Sequence, residues 1–279
     1  MKTVTRIDQV REAVSRWKSQ GKSIGLVPTM GYLHRGHGSL VKKAAEENDV
    51  VIVSNFVNPT QFGENEDLNS YPRDLDADCK LCESLGADLM FCPEPQEMYD
   101  NSLAFVNIDL LSQWLCGKSR PVHFRGVCTV VTKLFNITKA DRAYFGEKDA
   151  QQLLIIKKMV KDLNFDVEIV GCPIVREADG LAMSSRNAYL NEQERKAAKC
   201  LSKSIELGKS KIKKGMIAQE LKDYMKEAIE REPLAEIDYL EVVDLNTLQP
   251  VDRIDESVLV AMAVNFDKAR LLDNFMFHV

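Results

Sequence analysis

Val27-Pro28-Thr29-Met30-Gly31-Tyr32-Leu33-His34-Arg35-Gly36-His37-Gly38-Ser39-Leu40 stands between an apolar run, Ile24 to Val27, and a helical pattern that continues through Val41, Ala44 and Ala45. Strand, tight turn and helix N-terminus in that order form the geometry in which an α/β sheet presents a phosphate site. Gly31, Gly36 and Gly38 let the backbone turn sharply or approach a ligand closely. The turn also holds two histidines three residues apart, His34 and His37. Imidazoles and helix N-terminal N–H groups are together expected to face a polyphosphate, where they stabilise charge as it develops on a transferring phosphate.

The pattern outward from this turn is strand and helix in alternation. Upstream, Ile7, Val10, Val14 and Trp17 recur at helical spacing and stop at Gly21. Downstream, Asp49 to Phe56 is a continuous apolar run with β-branched Val50, Val51, Ile52 and Val53, and it reads as a buried parallel strand. It ends in the polar loop Asn58-Pro59-Thr60-Gln61-Phe62-Gly63, and such loops at strand C-termini bind ligands in these sheets. The spacing then predicts a helix near 74–85, a strand at 88–92, a helix over 126–137, a strand at 142–145, a helix over 151–163 and a strand at 167–170. Pro93 and Pro95 open an irregular stretch without a clear pattern. Past Val175 the pattern changes to two charged helices, roughly 192–214 and 218–231, and then to strand-like runs at 237–243, 258–265 and 270–275. The expected fold is therefore α/β, a Rossmann-like, mostly parallel sheet over 1–175 with a second, smaller α+β C-terminal domain over 176–279.

Composition narrows the function. The net charge of −5 gives no electrostatic footprint for nucleic acid. No apolar run approaches a membrane span, and the N-terminus lacks the apolar core of a signal peptide. Seven cysteines scattered through apolar stretches suit a reducing, cytoplasmic setting. Cys79 and Cys82 match C-x-x-C, yet they share a helical face with Leu75 and Leu85 and read as packed core thiols. Gly-Lys-Ser occurs at Gly21, Gly117 and Gly208, but Arg16, Ser112 and Lys203 occupy the position where a P-loop needs another glycine. His123 and His278 have no ligand-spaced partner, and no metal site is expected. Four polar sets remain: His34 with His37, Asn58 with Gln61, Lys148 with Asp149 and Gln152, and Ser184 with Ser185 and Arg186. Together they offer cations, hydroxyls and an amide pair, a collection suited to a triphosphate, a ribose and a small polar acid.

These sets lie in motifs that resemble the pantoate–β-alanine ligase (pantothenate synthetase) family from end to end. The motifs are Pro28-Thr29-Met30-Gly31 with His34-Arg35-Gly36-His37, Phe56 to Gly63, Phe145-Gly146-Glu147-Lys148-Asp149 with Gln151-Gln152-Leu153, Val175-Arg176-Glu177 with Asp179 to Asn187, and Ala269 to Asn274. Tyr32 stands where a small residue is common in the family. The resemblance places the chain among H-x-G-H nucleotidyltransferases, with Met183 to Arg186 as the counterpart of the second motif of class I aminoacyl-tRNA synthetases. It implies a homodimer that takes ATP with Mg²⁺, (R)-pantoate and β-alanine and gives pantothenate, AMP and diphosphate through pantoyl adenylate. Catalytic roles are implied for His37 as proton donor, His34, Lys148 and Arg186. ATP contacts are implied for Met30, Gly31, His34, Gly36, His37, Gly146, Glu147, Lys148, Asp149, Val175, Met183, Ser184, Ser185 and Arg186. Gln61, Gln152 and Met30 are implied for pantoate, and Gln61 also for β-alanine. Asp78 is a weak candidate for a Mg²⁺ ligand, and the C-terminal domain is expected to act as a lid. An adenylyltransferase that leaves AMP on its product, and a nucleotide-binding regulator without turnover, are the competing readings. The amide pair Gln61 and Gln152 favours a hydroxy acid over the phosphate-bearing acceptor of the former.

Overall fold

The computed structural model describes residues 1–64 and 66–279. In chain order the elements are β1 (Lys2–Val4), α1 (Ile7–Ser19), β2 (Ile24–Thr29), α2 (Arg35–Glu47), β3 (Val50–Asn55), α3 (Leu75–Ser84), β4 (Leu89–Phe91), α4 (Pro95–Tyr99), α5 (Cys116–Ser119), α6 (His123–Thr138), β5 (Arg142–Gly146), α7 (Ala150–Asp162), β6 (Glu168–Cys172), α8 (Glu192–Ala197), α9 (Lys199–Lys211), α10 (Ala218–Glu230), β7 (Glu236–Asp244), β8 (Val258–Phe266) and β9 (Ala269–Phe277). The chain forms two compact units. One comprises Met1–Ile108, Arg120–Glu147 and Ile155–Pro173, the other Asp109–Ser119, Lys148–Leu154 and Ile174–Val279.

The first unit is built on a six-stranded, all-parallel sheet in the order β1-β4-β3-β2-β5-β6. Alternate residues of a strand face opposite sides. Val27, Val51, Val53, Met90, Tyr144 and Cys172 accordingly form one core with Leu40, Val41 and Ala44 of α2 and Cys82 of α3. On the other side α6 packs against α1 and β2. Strand order reverses between β2 and β5, and at such a switch point the loops leaving the C-terminal ends form the ligand crevice. Cys82 is fully buried, and burial pushes its thiol pKa up to about 12. Cys79 lies 3.5 Å from the Met90 sulfur, so the C-x-x-C pair is core packing, as its spacing indicated.

The second unit centres on the antiparallel sheet β7-β8-β9. Val258, Val260, Met262, Val264 and Phe266 of β8, with Leu271 and Phe275 of β9, pack against Leu201 and Ile205 of α9 and Leu221, Met225 and Ile229 of α10. The expected fold class is thus observed. The differences are local. The three residues of β1 were too few to show a period. The expected helix over 192–214 breaks at Ala198, although no Gly or Pro marks the break. Ion pairs from Arg195 to Glu177 and Asp179, and from Lys199 to Asp179, flank it. The irregular stretch after Pro93 holds the short helices α4 and α5, and α6 begins at His123, three residues before the expected start.

Candidate active site

In the first unit, β2 ends in a turn with two successive positive φ angles, Gly31 at 80° and Tyr32 at 51°. A Cβ on Gly31 would lie 2.4 Å from the Asn55 side-chain oxygen, so close approach as well as φ requires glycine here. Tyr32 takes a conformation that L-residues other than Asn and Asp seldom adopt. The turn is held by Asp78 of α3, which is 2% exposed. Its carboxylate accepts from Tyr32 N at 2.8 Å, Leu33 N at 2.6 Å and Asn55 Nδ2 at 2.8 Å. Both oxygens are therefore engaged in holding the turn, a structural role for the residue considered as a Mg²⁺ ligand.

The helix N-terminus that follows is capped by its own histidines. His34 is the N-cap of α2, and its Nδ1 accepts from Gly36 N at 3.1 Å. His37 Nδ1 accepts from His34 N at 3.3 Å, completing a reciprocal capping box. The two rings lie 4.0 Å apart, tilted by 34°. A ring nitrogen that accepts a hydrogen bond carries no proton, so each neutral imidazole holds its proton on Nε2. The H-x-G-H turn therefore converts backbone N–H donors into a pair of stacked imidazole Nε2–H donors. Short-range helix capping fixes their tautomers.

The loop after β3 positions Gln61. Asn58, fully buried, takes Thr60 N and Thr60 Oγ1 on its oxygen and donates from Nδ2 to Gln61 Oε1 and Gly126 O, both at 3.1 Å. This orients the Gln61 amide with Nε2 toward the Met30 sulfur, 2.9 Å away. The Gln61 main-chain oxygen is held as well. It accepts from His123 Nδ1 at 2.9 Å and from Arg120 at 3.4 Å. A carbonyl only accepts, so His123 has its proton on Nδ1, opposite to His34 and His37, and its Nε2 receives Arg120 Nη1 at 3.3 Å. Arg120 is ion-paired to Glu66. Burial raises the pKa of that carboxyl, but the Arg120 hydrogen bond and charge outweigh it, and the group stays below the usual carboxylate range. Sequence spacing gave no role to His123, because its partner is 62 residues away.

In the second unit, Lys148 sits in the 3-10 turn Glu147–Asp149, its Nζ 3.3 Å from the Asp149 carboxylate. Its main-chain oxygen accepts from Asn274 Nδ2 of β9 at 2.8 Å. Gln151 is buried and structural. Its Nε2 donates to Leu111 O and Trp114 O, at 2.9 and 2.7 Å, and its Oε1 accepts from Cys116 N at 3.0 Å. Gln152 beside it is half-buried. Val175 and Met183 are joined across a tight hairpin, Met183 N donating to Val175 O at 3.0 Å, with Arg176 bridged to Ala182. Ser184 then caps the 3-10 turn Ser185–Tyr189, accepting from Arg186 N at 3.3 Å. Asn187 Nδ2 ties that turn back to Glu177 Oε1 at 2.8 Å and Ala182 O at 3.1 Å.

Of the site residues read from sequence, the first unit thus carries Met30, Gly31, His34, Gly36, His37, Gln61, Gly146 and Glu147, while Lys148, Asp149, Gln152, Val175, Met183, Ser184, Ser185 and Arg186 belong to the second. Among the described residues, no three or more His, Cys, Asp or Glu converge as a metal site. Among them, too, no helix is long and apolar enough to cross a membrane.

Known proteins resemble this chain in sequence and in fold. A pantothenate synthetase of Ruminiclostridium cellulolyticum is 61% identical over 279 residues, 99% of each chain. One from Clostridium acetobutylicum is 57% identical over 281 residues, 100% of each. The crystal structure of pantothenate synthetase from Thermus thermophilus matches with a TM-score of 0.93 at 44% identity, covering 99% of both chains. A Francisella tularensis pantoate-β-alanine ligase, complexed with β,γ ATP and β-alanine, matches with a TM-score of 0.82 at 36% identity, covering 99% of this chain and 97% of that one. The profile described as pantoate-beta-alanine ligase matches residues 2–276, and with relatives this similar along their whole length the chain belongs to that family.

Proposed function

We propose that the enzyme joins pantoate to β-alanine in two steps, using ATP and releasing diphosphate and AMP. A carboxylate is a poor electrophile, so a pantoate oxygen first attacks the α-phosphorus of ATP. The bond from that phosphorus to the bridging oxygen breaks, and diphosphate leaves with added negative charge. The amine of β-alanine then attacks the carbonyl carbon of pantoyl adenylate, AMP leaves, and the nitrogen loses a proton to form the amide of pantothenate.

The observation that carries this reading is the pair of capped imidazoles. Their shared tautomer supplies two Nε2–H hydrogen-bond donors, with His37, the residue assigned as donor, directed at the charge that builds on the leaving diphosphate. Lys148, Ser184, Ser185 and Arg186 are assigned to the phosphates, and Arg186 has the planar fork that matches phosphate oxygens. Gly146, Glu147 and Asp149 are assigned to the nucleoside, Val175 and Met183 to the adenine. Gln61, its amide orientation fixed by Asn58, is assigned with Gln152 and Met30 to pantoate, and Gln61 also to β-alanine. Mg²⁺ bound with ATP would neutralise charge on the triphosphate. With Asp78 engaged in the turn, phosphate oxygens and water are proposed as its ligands.

Two coarser properties belong to the same reading. All seven cysteines are free thiols, which supports a cytoplasmic, reducing location. Leu103 and Phe105, 93% and 50% exposed in the first unit, support a homodimer, which sedimentation measures directly. The test of the reaction is single-turnover release of diphosphate from ATP and pantoate. Diphosphate should appear without β-alanine, while AMP and pantothenate should appear only after β-alanine is added. Diphosphate release that requires β-alanine, or AMP retained on the product, overturns the two-step reading.

A further inference from the structure

The motif Ala269 to Asn274 has no role in the chemistry above, yet two of its residues hold both phosphate-assigned segments of the second unit. Adjacent residues of a strand point to opposite faces. Asp273, 1% exposed, lies on the face of β9 that carries Leu271 and Phe275 into the helix-packed core. There it accepts two hydrogen bonds from Arg176, Nη1 at 2.7 Å and Nη2 at 2.8 Å. Arg176 Nη1 also donates to Gly180 O at 3.0 Å, so one guanidinium closes the 176–182 hairpin and fastens it to the strand. The 3-10 turn Ser185–Tyr189 that follows packs on β9 as well.

Asn274, 6% exposed, points to the other face, beside the segments 109–119 and 148–154. On that face Arg270 reaches Cys116 Sγ at 3.6 Å, and Asn274 Nδ2 reaches Lys148 O at 2.8 Å. The bond takes the backbone of Lys148, while its ammonium lies 3.3 Å from the Asp149 carboxylate. The platform is stiff, for β9 is paired with β8 at every residue from Ala269 to Phe277.

We infer that Asp273 and Asn274 are positioning residues for adenylation, a two-residue gauge that sets the distance between the Lys148 backbone and the hairpin leading to Arg186. The inference rests on the assignment of Lys148 and Arg186 to the phosphates. Rates of this kind are sensitive to such spacing, since a misplacement of about 1 Å can cost about 100-fold. Both residues are buried, and their effect passes through Lys148 and through the hairpin.

The test is a double-mutant cycle on single-turnover diphosphate release in the full-length enzyme. Asn274→Ala should slow adenylation at least about 10-fold. Pantoate affinity should stay within about two-fold, because the three bonds of Gln151 hold the start of α7 independently. Lys148→Ala should slow it further, and adding Asn274→Ala to Lys148→Ala should change the rate by less than about two-fold. Full additivity in the double variant, or a normal rate in Asn274→Ala, overturns the gauge while leaving the assignment of Lys148 intact. A normal rate in Lys148→Ala overturns that assignment instead. Should Asn274→Ala fail to fold, the near-isosteric Asn274→Asp, which puts an oxygen against the Lys148 carbonyl, carries the same cycle. Asp273→Asn, paired with Arg186→Ala, tests the other arm, and independent effects there overturn the hairpin half of the inference.

Discussion

At the scale of single residues, three histidines of one chain are read as two opposite tautomers. His34 and His37 accept backbone N–H groups on Nδ1, whereas His123 meets a backbone carbonyl with its Nδ1. Ring ¹⁵N chemical shifts of the neutral protein should therefore show Nε2–H for His34 and His37 and Nδ1–H for His123. An Nδ1–H signal from His37 would remove the donor on which the diphosphate assignment depends. If the donor is as placed, His37→Ala should slow adenylation by about 10²–10³-fold, the usual cost of losing one such group. The loss of its contact with His34 N frays only one helix end, about 1 kcal/mol, so the variant should melt close to the parent. A near-normal single-turnover rate contradicts the role. Asp78 shows the converse lesson. A buried carboxylate near a phosphate turn suggests metal binding in a sequence, but here it serves as the anion that fills the backbone concavity of the turn.

At the scale of elements, α6 and the loop 59–61 meet so closely that a Cβ on Gly126 would fall 2.4 Å from Thr60 O and 2.6 Å from Gln61 Cα. Both are backbone atoms, so neither side can yield by a rotamer change. Gly126→Ala should cost about 1–3 kcal/mol, and the Gln61 backbone should shift with it. The expected signature is a lowered Tm together with a raised KM for pantoate and an unchanged KM for ATP; an unchanged pantoate KM would show that Gln61 is not the contact. Such meetings also set what the sequence could disclose. The four longer strands and the long helices of the first unit carry clear patterns, and they appear within a few residues of their expected bounds. The loops with His34, Gln61, Lys148 and Arg186 were legible because motif residues cluster locally. Their supports were not. Asn58 with Gly126, Gln61 with His123, and Lys148 with Asn274 are joined across 68, 62 and 126 residues, and no local period marks a bond of that kind.

At the scale of the whole molecule, the proposed chemistry draws on both units, with imidazole donors from the first and Lys148, Ser184, Ser185 and Arg186 from the second. The segment 184–187 is already built, since Ser184 caps it and Asn187 ties it to Glu177 and Ala182. ATP is thus expected to slow its amide exchange by binding to formed structure, with no coil-to-turn transition. Linkage sets the size. At a nucleotide concentration of about 100 Kd the bound state gains about 2.7 kcal/mol, so openings that require release of ATP should slow by about 100-fold. Exchange at residues 35–38 and at 184–187 should slow together when ATP and Mg²⁺ are added, and β-alanine alone should slow neither. Arg186→Lys keeps the charge but loses the fork, so adenylation should slow while the fold and the protection at 35–38 persist. Protection confined to 35–38 in the parent enzyme, with full activity in Arg186→Lys, would take Arg186 out of the phosphate site and leave the charge on diphosphate to His34, His37 and Lys148.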